Sequence, residues 1–157
     1  MKFTSLSKII VITMAVSAMS LQCKTNKKIQ KDKSDKQTIS KLIIDRNFSP
    51  DRSKKLDYKI ESLSYNTKNI LNIEISYLGG CGTHNFDLIF NGNYLKSLPM
   101  QAGLFLKHTS KNETCDKKIN TVLHFDITGL KPDRYNKLKI KFIGSDQNIM
   151  YEIPPKE

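Results

Sequence analysis

From Leu56 to Ile153 apolar residues recur at every second position, and this alternation constrains the fold more than any motif does. Period two belongs to a strand with one buried and one solvated face. Leu56, Tyr58 and Ile60 alternate with Asp57, Lys59 and Glu61, and Leu71, Ile73, Ile75 and Tyr77 with Asn72, Glu74 and Ser76. Phe86, Leu88 and Phe90 follow, then Asn91-Gly92-Asn93, which reads as a turn. Gly103 to His108 is a shorter run. Ile119, Thr121, Leu123, Phe125 and Ile127 make the next inward row, and Leu138, Ile140 and Phe142 alternate with lysines. Gly144-Ser145-Asp146 turns the chain, and Ile149, Tyr151 and Ile153 close the set. No helical period competes. About seven two-faced strands predict an all-β fold, a single antiparallel immunoglobulin-like β-sandwich, with a small closed barrel as the alternative. Phe86, Phe90, Phe125, Phe142 and Tyr151 fall on inward positions and read as core. Tyr94, Leu95, Leu98, Pro99, Met100 and Leu104 read either as core cover or as a recognition edge.

The 157-residue chain begins differently. Lys2 and Lys8 flank a basic start, and Ile9 to Met19 is an apolar run too short to cross about 30 Å of hydrocarbon but suited to a signal peptide. Ala18-Met19-Ser20 allows ordinary cleavage before Leu21, whereas Ser20-Leu21-Gln22-Cys23 resembles a lipoprotein processing site. Cysteine arithmetic selects the second, because lipid on Cys23 leaves Cys81 and Cys115 as an even pair. The expected organisation is a signal peptide over 1–22, lipidated Cys23 with a basic tether over 23–44, and the sandwich over 45–157. Lys24 to Ser40 has six lysines, no aromatic residue and two isolated isoleucines, so it cannot offset ordering entropy by burial. It also carries much of the charge. The whole chain is +11, yet residues 42–157 hold 17 basic against 13 acidic residues, a balance of +4. The excess therefore does not point to nucleic acid.

Residues 77–91, YLGGCGTHNFDLIFN, set Cys81 and His84 three apart in a glycine cluster. His108 ends another strand, and Cys115 lies in the polar loop Thr109 to Lys118. In an oxidising compartment the expected pairing is a Cys81–Cys115 disulfide, with Gly79, Gly80 and Gly82 permitting positive φ and a close approach. A second reading is a zinc or copper site built from Cys81, His84, His108 and Cys115. A third makes Cys81 a nucleophile with His84 or His108 as base, oriented by Asn85 or Asp116. Gly-Gly-Cys-Gly is not a phosphate loop, since no Lys-Ser/Thr follows. Asn112-Glu113-Thr114 matches a glycosylation acceptor, and His124 and Asp126 read as a solvated sheet face.

Two resemblances add to this. Asp126 to Phe142 resembles the corner of fibronectin type III and immunoglobulin-like domains, with Leu130, Pro132 and Tyr135, one residue early, in the corner positions. The ordered set Tyr77-Gly79-Gly80, His84-Phe86-Leu88, His108, Phe125-Asp126-Ile127 and Leu130-Pro132 resembles the C-terminal domain of NigD-like lipoproteins of Bacteroidota and their short single-domain relatives. That resemblance implies a lipid-anchored β-domain of the cell envelope and carries no established chemistry. The combined expectation is a non-catalytic binding or structural lipoprotein without a cofactor. It would sit on the periplasmic side of the membrane, bind an envelope protein partner and not bind nucleic acid.

Overall fold

The computed structural model describes residues 38–51, 55–132 and 135–153. The expected signal peptide, Cys23 and the expected tether as far as residue 37 lie outside the described residues.

Nine strands and no helix form the described part: β1 (Ile39–Lys41), β2 (Ile43–Ile44), β3 (Tyr58–Tyr65), β4 (Ile70–Gly79), β5 (Thr83–Leu95), β6 (Met100–Lys111), β7 (Lys117–Asp126), β8 (Lys137–Phe142) and β9 (Asn148–Glu152). They lie in two sheets with free edges, β1-β7-β4-β3 and β2-β5-β6-β8-β9, so the fold is a sandwich rather than a closed barrel. Strands β3 to β9 are the seven runs of alternation. Their inward residues make one core, in which Leu71, Ile73 and Ile75 face Leu88, Leu104, Leu106, Leu138 and Ile140.

Three features differ from the sequence reading. The sheets are mixed rather than antiparallel, because β1–β7, β2–β5 and β6–β8 pair in parallel. Alternation fixes which face of a strand is buried but not which neighbour it meets. Second, β1 and β2 occupy the end of the segment assigned to the tether. Leu42 packs against the core between them while the chain passes from one sheet to the other. The lysine-rich composition upstream hides the short apolar set Ile39, Leu42, Ile43 and Ile44. Third, Asn91-Gly92-Asn93 is not the hairpin turn. The strand runs on to Leu95 through a register shift between Phe90 and Tyr94, with Gly92 at φ 79°, which is a bulge.

Gly144-Ser145-Asp146 does turn the chain between β8 and β9. At the corner Leu130 and Pro132 are buried, but Tyr135 is 40% exposed and lies ahead of β8. The tyrosines that close the core are Tyr58, whose hydroxyl donates to the carbonyl of Leu106, and Tyr151, whose hydroxyl donates to Asn69 Oδ1 at 2.8 Å.

Candidate functional site

At one end of the sandwich β4 crosses into β5 through residues 80–82, and β6 crosses into β7 through residues 112–116. Cys81 and Cys115 join these crossings in a disulfide. Glu113 lies in the concavity that the two loops make. Its carboxylate accepts the backbone N–H groups of Cys115 at 2.7 Å, Gly80 at 3.0 Å, Gly82 at 3.1 Å and Cys81 at 3.4 Å. Donation from the Cys115 N–H, followed by that from His84 and the glycine N–H groups, holds the Glu113 carboxyl down at about 2.

The close approach explains the glycines. A Cβ on Gly79 would stand 2.6 Å from the His84 ring, and one on Gly82 would stand 2.4 Å from the Lys111 carbonyl oxygen. Gly80 alone of the three uses a positive φ, 119°.

His84 and His108 extend the inward rows of β5 and β6. His84 continues Phe86 and Leu88, and His108 continues Leu104 and Leu106. His108 pairs with Phe86 across the ladder and therefore lies diagonal to His84 on the same face. The result is a chain of contacts. His84 Nε2 is 2.5 Å from Glu113 Oε2, and His84 Nδ1 is 3.0 Å from His108 Nε2. His108 Nδ1 is 2.9 Å from Asp57 Oδ2. That last contact is close but poorly directed, so among the described residues Nδ1 has no hydrogen-bond partner. Because Glu113 is ionised, His84 donates to it from Nε2, and a single proton fits between the two rings.

Both imidazoles are nearly covered, at 7% and 4% side-chain exposure. Phe86 stacks on His108 with centroids 4.3 Å apart, Tyr77 lies 4.6 Å from the His84 ring, and Tyr58 meets His108 edge-on.

The four sequence-selected residues thus assemble as two pairs at one corner, Cys81 with Cys115 and His84 with His108. Glu113 links the pairs, and reading its tripeptide as a glycosylation acceptor had hidden it. The ligand atoms of Cys81, Glu113 and Cys115 lie within 4.8 Å of one another, but a disulfide offers no thiolate to a metal or a substrate. Asn85 pairs opposite Thr109 on the outward face, and Asp116 is exposed in the loop. Asp57 and Glu113 were missed. The signal that would have found the histidine pair is the inward parity of His84 and His108. Elsewhere His124 donates from Nδ1 to Asn72 Oδ1, 2.7 Å away, and Asp126 accepts the Thr128 N–H at 2.9 Å to close a turn.

No protein-family model and no curated protein matches the chain. Solved structures do. A protein of unknown function, DUF1344, from Bacteroides vulgatus ATCC 8482 aligns at TM-score 0.50 and 14% identity over 74% of this chain and 57% of its own. A putative toxin-related protein from Parabacteroides distasonis ATCC 8503 aligns at TM-score 0.46 and 18% identity over 73% and 59%. A NigD-like immunity protein from Bacteroides caccae ATCC 43185 aligns at 0.48 and 13% over 73% and 59%. The chain spans less than three-fifths of each of them. The likeness to the DUF1344 protein is one of fold.

Proposed function

We propose that the protein is a lipoprotein of the bacterial cell envelope, anchored by lipid on Cys23, whose sandwich is a non-catalytic module that binds an envelope protein. One observation carries the non-catalytic part. Each chemistry-bearing side chain of the candidate site is engaged in holding the corner closed: the thiols in a disulfide, Glu113 by four N–H groups, and the imidazoles between Glu113 and Asp57. The anchoring part rests on the apolar run before Cys23 and on the even cysteine pair that remains.

The test uses the native host. Cys23→Ser should move the protein from the membrane fraction to the soluble one and abolish palmitate labelling; unchanged membrane retention and labelling would overturn the anchor. Lysine-directed crosslinking in intact envelopes should give the same discrete partner adduct for wild type and for His84→Gln. Loss of any adduct in wild type would count against a binding module.

The specific proximity of Cys81, Glu113 and Cys115 supports a second reading, a zinc or copper site available only when the bridge is reduced. Stoichiometric zinc or copper bound after mild reduction, and none before it, would favour that reading.

A further inference from the structure

The β5–β6 hairpin closes at the end of the sandwich opposite the disulfide, since Thr83 pairs with Lys111 at one end and Leu95 with Gln101 at the other. At its tip Leu95 is 64% and Leu98 93% exposed, whereas Leu104 is buried and Tyr94 and Met100 pack on the core. The register carries Leu95 outward across the sheet. Gln101 stands beside Lys139, and Lys139 beside Met150, which is also exposed. Lys141 lies two residues along on the same face, and Lys96 follows Leu95 in the tip. The acid at the end of that face, Glu152, is already paired with Lys137 at 3.2 Å.

A groove of about 360 Å³ runs beside Leu95, lined also by Ala102, Gly103, Phe142, Ile143 and, at its rim, Lys141. It exists because β5 bulges at Asn91–Asn93 and because Gly103 brings no side chain.

We infer that this tip and face form a contact surface for an anionic lipid bilayer. Leu95 and Leu98 enter the interface, and Lys96, Lys139 and Lys141 meet the phosphates. Exposure and charge favour this occupant over a protein. Leu98 projects from the end of the hairpin outside the groove that Leu95 lines, and among the described residues Lys96, Lys139 and Lys141 have no ion-pair partner, whereas Glu152 is taken by Lys137. The contact does not depend on lipid at Cys23.

The chain contains no tryptophan, so Leu98→Trp makes a single reporter at a position where substitution does not disturb packing. The reporter is placed in the full chain carrying Cys23→Ser and mixed with vesicles of phosphatidylglycerol and phosphatidylethanolamine. Its emission should shift to the blue and be quenched by brominated acyl chains. The triple change Lys96→Gln, Lys139→Gln, Lys141→Gln should weaken that response by about fivefold per lysine. An equal response on phosphatidylcholine vesicles would overturn the anionic preference. Sedimentation with vesicles while the tryptophan stays water-exposed would overturn the tip as the contact, and a blue shift without vesicles would assign it to a second copy.

Discussion

Glu113 is the residue on which the two crossing loops converge, and its ionisation sets how the corner responds to acid. Its folded pKa, about 2, lies below the ordinary 4.5. A depressed carboxylate contributes stability that is fully present above the unfolded value and is lost as pH falls through the folded one. Between about 4.5 and about 2 the corner should therefore weaken progressively. Urea midpoints measured across that range should fall with acid, and Glu113→Gln should flatten the slope; an unchanged slope would mean that the carboxylate is not held as described. Gly82 makes a second residue-scale test. A methyl there meets the Lys111 carbonyl and the Glu113 backbone, so Gly82→Ala should cost about 1–3 kcal/mol by denaturation. Gly103→Ala, whose methyl would touch only the Ile143 side chain at 3.4 Å, should be close to neutral.

Among the elements, the strands were legible because alternation states directly which side of each is wet. The partners were not, because β8 can satisfy the same inward row beside β5 or beside β6. The bulge at Gly92 mimicked a turn for a related reason. Asn-Gly-Asn favours left-handed backbone both in a hairpin loop and inside a bulged strand, and only the continued pairing of Tyr94 and Leu95 tells them apart. The disulfide was legible from compartment and count. The histidine pair was not, because two polar residues that continue an apolar row do not look like core until their partner carboxylates are seen. The bridge closes a segment of separation 34. The double variant Cys81→Ala, Cys115→Ala should lose about 3–4 kcal/mol in the loop-entropy description, read from urea unfolding, and a loss under about 1 kcal/mol would show that Glu113 alone holds the loops. The hairpin tip behaves oppositely. Leu95→Ser with Leu98→Ser should leave stability within about 0.5 kcal/mol while abolishing co-sedimentation with the anionic vesicles.

On the scale of the molecule, two chemically different ends lie on one sandwich. One is closed, oxidised and packed with aromatic rings; the other presents leucines and lysines. Fifteen residues separate Cys23 from Ile39, a reach of about 50 Å if extended, so under the proposed anchoring on Cys23 the chain is long enough for the tip to meet the same membrane. At the closed end Cys81 and Cys115 are bridged and so structural rather than reactive. That bridge is tested most directly by the intact mass of the protein isolated from the envelope and alkylated under denaturing, non-reducing conditions with a chelator present. No adduct is expected on either cysteine until reduction, and then one on each. Adducts on Cys81 and Cys115 without reduction would contradict it.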